Sequence, residues 1–587
     1  MESPTRNNVD YKVLGRVIAQ AKPYRVVFLT AAALGVLLAP VAILRPYLVQ
    51  VMVDGYIFKY DLPGLAKMSL FFVGVLLLES ALRYIFLYSS DWLGHAVVRD
   101  LRVKIFNHIT SLRLSYFDRT PIGISTTRTI NDIESINEIF SQGIITIIAD
   151  FLMVIAVLVV MFFVSWKLTL VCLTTMPFLI IATYIFKEKV KTSFQRVRAQ
   201  IARMNAFLQE RLTGMRIVQI FNAGEQEMDK FKKINRAYTQ ANLDAILYYA
   251  IFFPVVEVIS AASLGLMVWW GAKETLGNEV SLGALVAFPL YLNMMFRPIR
   301  MLADKFNTVQ MGLVAAERVF HLLDRREVIE NDGKYAPKEL EGAISFKNVW
   351  FAYNGEDWVL KDISFDISPG ETMAIVGSTG SGKTSIISIL NRLYETQKGA
   401  IEIDGVNIRD YQLEPLCSHI AVVLQDVFLF SGTVMENITL RNENITREQV
   451  VTAAKMIGAH AFIKKLPGGY DYAVMERGAT LSMGQRQLIS FVRALVFDPE
   501  ILILDEATSS IDPESEAVIQ HAIEKLIEKR TSIIIAHRLS TIRHASKILV
   551  LEKGEVREFG NHDELLQIEN GRYRELYEMQ FLPVGVA

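Results

Sequence analysis

At 587 residues the chain is too long for a single comfortable core, which predicts two or more domains. Hydrophobic residues make up 51% of it and mean hydropathy is +0.29, high for a soluble enzyme of this size. A net charge of −1 excludes a global field drawing the protein to nucleic acid or anionic lipid, and two distant cysteines, Cys172 and Cys417, argue against a disulfide framework. Both read as isolated buried thiols in a reduced compartment.

The apolar residues are concentrated in the first half. Runs at Val26–Ile57, Met68–Tyr88, Ile144–Val164, Leu168–Ile185, Ile246–Trp270 and Val280–Phe296 approach or exceed the length of about 20 residues that crosses a bilayer as a helix. After about Asp324 no such run recurs. The first run continues through Arg45-Pro46, which favours an uncleaved helix over a signal peptide. Lysine and arginine crowd the segment before the first run and the connections after the second and fourth, whereas the other connections are brief. The positive-inside rule therefore predicts a multi-pass cell-membrane protein with its N-terminus and C-terminal half cytoplasmic. Lys187–Leu212 has no Gly or Pro and repeats apolar residues at helical spacing, predicting that membrane helices continue as cytoplasmic stalks. Ser115–Asp118 and Phe221–Gly224 are then expected as turns at the stalk tips.

Charges interrupt the apolar runs, among them Arg45, Glu79, Arg83 and Glu257. Glu79 lies on the order of 18 Å below the outer end of its run, within the hydrocarbon. Intramembrane charges point to function; equally, Glu79 and Arg83, spaced i, i+4, can neutralise each other.

The second half carries chemistry. Gly377, Ser378, Thr379, Gly380, Ser381, Gly382, Lys383 and Thr384 match G-x-x-x-x-G-K-[ST], with an apolar strand before and a helical pattern after. In that context the loop's N–H groups wrap phosphate, Lys383 reaches the terminal phosphates and the Thr384 hydroxyl faces Mg²⁺. Ile501–Asp505 reads as a buried strand ending in a carboxylate suited to the magnesium shell. Glu506 follows, where a general base would orient or deprotonate the attacking water.

With these and further motifs in one order, the chain after Glu341 resembles the nucleotide-binding domain of ABC transporters, and the whole chain resembles their exporter-type half-transporters. The resemblance implies an all-α six-helix transmembrane domain with long cytoplasmic helical extensions, followed by an α/β P-loop ATPase domain. The expected bounds are residues 1–325 for the membrane domain, with helices near 26–57, 68–113, 138–164, 168–212, 245–270 and 280–322. A linker at 326–340 and the ATPase domain at 341–587 follow. By the same resemblance Tyr353 stacks on adenine, Gln425 contacts Mg²⁺ and senses the membrane domain, and His537 meets the γ-phosphate. Ser482, Gly484 and Gln485 would hold ATP bound to the partner, and Ser509–Asp512 form the D-loop.

The implied partners are a second half-transporter, the lipid bilayer and a lipid or amphipathic small-molecule substrate, with ATP and Mg²⁺ as cofactors and no nucleic acid. The implied function is ATP-driven export or flipping by alternating access. A nucleotide-gated channel or regulator is the other class, and peptide export or atypical import the variants within transport. One position departs from the pattern. Met483 stands where the signature usually has a glycine, while Glu506 and His537 are intact. That combination fits pairing with a different half-transporter ahead of a homodimer in which the flexible Met turns aside.

Overall fold

The computed structural model describes residues 11–277, 279–329, 331–505, 513–536 and 542–581. By internal packing the chain divides into two compact units, residues 1–110 with 121–326, and residues 111–120 with 327–587.

In the first unit, six helical runs are long and apolar enough to cross a membrane: α1 (Lys22–Ile57), α2 (Leu62–Thr110), α3 (Ile122–Val164), α4 (Trp166–Thr213), α5 (Gly224–Leu276) and α6 (Leu282–Leu323). Most far exceed what hydrocarbon needs. The 49 residues of α2 span about 74 Å at 1.5 Å per residue, against a core of about 30 Å. Prolines inside α1, α5 and α6 are of the kind that membrane helices tolerate. Val157, Met161, Cys172, Phe252, Met267, Phe288 and Tyr291 share one buried cluster across α3 to α6. The short helix Met215–Ile220 and the turn Phe221–Ala223 join α4 to α5, with Asn222 in the left-handed region at φ 49°.

Within the apolar layer Glu79 on α2 is 4% exposed and meets two arginines. Arg83 Nη2 donates to Glu79 Oε1 at 3.3 Å, the i, i+4 pairing. Arg45 of α1 adds an ion pair from Nε to Glu79 Oε2 at 2.7 Å, which no local spacing foretold. Glu257 on α5 is exposed on the isolated chain. Replacing Glu79 by Gln strands two cations beside each other. The expected cost is about 2–3 kcal/mol, below that of a fully buried pair because both guanidinium groups are partly exposed. Thermal unfolding in detergent should show the loss, with recovery when Arg45 and Arg83 are also replaced by Met. An unchanged midpoint in the single variant would refute the pairing.

The second unit is built on two larger sheets, beside a two-stranded one of β7 (Gly432–Thr433) and β8 (Ala473–Val474). β1 (Ile344–Ala352), β2 (Trp358–Ile367), β4 (Lys398–Ile403) and β5 (Val406–Asn407) form an antiparallel sheet in the order β2-β1-β4-β5. The six-stranded sheet runs β12-β11-β3-β10-β9-β6. Its members are β3 (Thr372–Gly377), β6 (Ile420–Val423), β9 (Ile501–Asp505), β10 (Thr531–Ile535), β11 (Lys547–Glu552) and β12 (Glu555–Gly560). Every pairing in it is parallel except β11 with β12. Buried residues such as Ile375, Leu502, Ile503, Ile533 and Ile534 make these strands continuous apolar runs, as a sheet covered on both faces requires.

Two local expectations change. Ser115–Asp118 is not a plain turn but lies within a short helix, Leu114–Arg119, and Tyr116 within it is fully buried. Cys172 is buried, but Cys417 is exposed: in the helix Leu413–His419 it is Leu416 and His419 that face inward.

Candidate functional site

Three candidate features of the second unit, the loop at 377–384, Gln425 and Asp505, lie at or just past the C-terminal ends of parallel strands. In open α/β sheets that edge is where ligands bind, since helix N-termini and loops converge there. β3 ends at Gly377, and the loop 378–382 leads into the helix Lys383–Leu390. The sequence has little choice at the glycines. Gly382 has φ 106°, and a Cβ there would come within 2.6 Å of Leu360 Cδ2. A Cβ on Gly377 would sit 2.3 Å from the Leu551 carbonyl oxygen of neighbouring β11.

Lys383 Nζ donates to the carbonyl oxygens of Gly377 at 2.7 Å and Ser378 at 2.9 Å, so its ammonium curls over the loop. Burial pushes its pKa below the ordinary lysine value, and the Asp505 carboxylate opposes that shift. Ser378, Thr379, Gly380 and Thr384 are exposed, whereas Ser381 is buried. The Ser381 Oγ has no hydrogen-bond partner among the described residues. An orphaned hydroxyl, a cation and a helix N-terminus around one loop fit a polyphosphate.

β10 lies between β3 and β9, with Ile535 level with both Ile375 and Asp505. Asp505, half-buried, therefore ends a strand two places from the phosphate loop, and exposed Gln425 lies just past the end of β6, beside β9. The Thr384 hydroxyl and the Asp505 carboxylate are oxygen donors of the kind Mg²⁺ takes, so the residues present fit that ion. Glu506, Ser509, Asp512 and His537 lie outside the described residues.

Tyr353 follows directly on β1. Its hydroxyl is 3.0 Å from Ser385 Oγ in the helix of the phosphate loop, and its ring meets Tyr394 edge-on at 5.0 Å. Ser385 and Tyr394 went unnoticed in the sequence. Ser385 merely follows the motif, and Tyr394 belongs to no pattern.

Ser482, Met483, Gly484 and Gln485 begin the helix Met483–Val496. Ser482 is its N-cap: Gln485 N donates to Ser482 Oγ at 3.2 Å, and Ser482 N donates to Gln485 Oε1 at 3.0 Å. This reciprocal capping box satisfies two otherwise orphaned donors. Met483 is the first helical residue and is absent from the positive-φ positions, so no glycine is needed there. The change is confined to a half-buried side chain beside Ser482.

A six-helix apolar unit joined to a phosphate-loop sheet unit defines a membrane ATPase class, and comparison with known proteins resolves which. Residues 28–299 match the ABC transporter transmembrane region, and residues 360–509 match the ABC transporter family. The chain is 38% identical over 569 residues to the uncharacterized ABC transporter ATP-binding protein YknV of Bacillus subtilis, covering 96% of this chain and 94% of that one. It is 37% identical over 546 residues to the probable multidrug resistance ATP-binding/permease protein YheH of the same organism, covering 91% and 80%. It is also 34% identical over 572 residues to an ATP-dependent lipid A-core flippase of Desulfotalea psychrophila, covering 97% and 99%. The chain belongs to the ABC transporter family. It is a multi-pass membrane protein of the half-transporter exporter type that binds ATP and couples its hydrolysis to transport.

Proposed function

We propose that the chain is one half of a dimeric exporter or flippase for lipids or other amphipathic molecules, driven through alternating access by ATP. The observation that carries this reading is the convergence of the phosphate loop, Asp505 and Gln425 on one sheet edge, in a chain that also holds six membrane-length helices. The relatives described as lipid A-core flippases and multidrug exporters support the substrate class.

In this reading Lys383 holds the terminal phosphates and the loop N–H groups wrap them. Mg²⁺, with Thr384 and Asp505 in its shell and Gln425 at its edge, would neutralise charge on the phosphates. Glu506 takes the attacking water's proton, His537 stands at the γ-phosphate, and Tyr353 stacks on adenine. Phosphate loop and signature of one chain face different nucleotides, so two chains must meet head to tail. The basic connections support a cytoplasmic placement of the N-terminus and ATPase unit.

The decisive experiment measures ATPase activity and substrate movement in reconstituted vesicles across lipid and drug panels. Stimulation by an amphipathic compound together with its ATP-dependent translocation supports the proposal. Ion conductance gated by ATP without substrate movement would replace it with a channel.

Met483 bears on the partner. The favoured pairing is with a different half-transporter, because this chain keeps Glu506 and His537 while offering an altered signature. Expressed alone, it should assemble poorly or turn over slowly, and a second half-transporter with an intact signature should rescue it. A stable homodimer with two equally active sites, little changed by Met483→Gly, would overturn the pairing.

A further inference from the structure

The connection between α2 and α3 is packed as part of the second unit, although its flanks belong to the first. Arg113 N donates to the Glu327 carbonyl at 2.9 Å, Ile329 N donates to the Ser111 carbonyl at 3.1 Å, and Leu112 pairs with Val328 as an antiparallel bridge. Arg113 Nε adds a bond to the Val328 carbonyl at 3.0 Å. These contacts fix the base of the short helix Leu114–Arg119.

Its far end touches the turn that carries Tyr353. Arg119 Nη2 donates to the Tyr353 carbonyl at 2.8 Å and to Asn354 Oδ1 at 2.6 Å. Next to it, the Tyr394 hydroxyl donates to the Asp118 carboxylate. Burial, with the hydrogen bond to Asp118 and its charge, raises the Tyr394 phenol above its ordinary pKa. The opposite side of the turn is held by Gln397. Its side-chain amide accepts from Ala352 N at 3.0 Å and donates to the Ala352 carbonyl at 2.8 Å. The Tyr353 ring is boxed between Tyr394, edge-on at 5.0 Å, and Phe351 at 4.7 Å.

We propose that Arg119 and Asp118 are positioning residues for the nucleotide base: by fixing the Tyr353 turn and the Tyr394 ring, they set the affinity for the adenine moiety. The proposal rests on the reading that Tyr353 stacks on adenine. Physically, an exposed turn of this kind samples several backbone states, and each state other than the held one points the ring elsewhere. Base stacking is harvested only from the held state, so apparent affinity falls by the fraction in which the turn is misplaced. The triphosphate grip resides in residues 377–384, bonded within themselves, and gains nothing from Arg119.

The test compares ATP with inorganic tripolyphosphate, which keeps the phosphates and lacks the base, binding to the full-length protein in nanodiscs. Arg119→Ala should raise the Kd for ATP about five- to tenfold, the scale of one lost hydrogen-bonding group. The Kd for tripolyphosphate should stay unchanged, and KM should rise more than kcat falls. Arg119→Lys should recover part of the affinity, and Asp118→Asn should show the same base-selective loss in smaller measure. Asn354→Ala, which removes one acceptor from a surface turn, keeps the test intact if the arginine variants fail to assemble. A fall in both affinities by the same factor would mark Arg119 as structural only and overturn the proposal. An unchanged ATP-to-tripolyphosphate ratio in Arg119→Ala would overturn it too, with Tyr353→Ala telling the causes apart. If that control lowers the ratio, stacking by Tyr353 stands and the role of Arg119 falls. If it does not, the stacking itself falls.

Discussion

Replacing Glu506 by Gln should leave ATP binding intact while cutting turnover by about 10²–10⁴-fold, the usual contribution of a positioned general base. β9 ends at Asp505, an acid at the sheet edge where the phosphate loop also lies, and Glu506 is the next residue. A carboxylate there accepts the water's proton as the bond to the γ-phosphate forms, whereas an amide of the same shape cannot. ATP should therefore remain on the variant for many minutes under conditions that turn over the parent. Single-turnover measurement with labelled ATP reads this directly. Hydrolysis within about fivefold of the parent would place the base on another residue.

Lys383→Ala should act on a different quantity. Its ammonium already bends over the loop onto the Gly377 and Ser378 carbonyls, and burial holds its pKa down, so a phosphate arriving there meets a poorly solvated cation. Charged hydrogen bonds in such settings contribute about 1.5–3 kcal/mol, so ATP affinity should fall by about 10–100-fold. Turnover at any attainable ATP concentration should fall with it. The lowered pKa gives this grip a pH signature. The cation is lost, as pH rises, earlier than for a free lysine. Equilibrium binding of ATP across alkaline pH measures both effects, and an unchanged Kd in Lys383→Ala would remove the residue from the site.

Much of the architecture was legible because the signals are local. An apolar run of bilayer length is its own evidence, and the strand–glycine loop–helix order around Gly377–Thr384 is written in eight consecutive residues. The i, i+4 pairing of Glu79 and Arg83 was local in the same way. What escaped depends on chain segments brought together by the fold. Arg45 joins Glu79 only because α1 packs beside α2. The ties of Arg119 to Tyr353 and of Tyr394 to Asp118 span 234 and 276 residues, and no periodicity encodes such distances. Cys417 escaped for a smaller reason: in a seven-residue helix one residue's error in phase turns a side chain from inside to outside.

The decapeptide Ser111–Thr120 has a consequence for how the protein is made. It is translated just after α2, yet the carbonyl that Arg113 Nε grips belongs to Val328, 215 residues later. At synthesis rates of about 5–20 residues per second, roughly 10–40 seconds separate the two. In that interval α3 to α6 are translated, and the bonds of Ser111 and Arg113 to residues 327–329 and the Leu112–Val328 bridge cannot yet form. The ATPase unit is thus sequentially split: its first piece is translated before most of the membrane unit, and its remainder only after it. Its completion is a late step, and a nascent chain halted before Val328 would display the decapeptide without its backbone partners to whatever surveys unfinished membrane proteins.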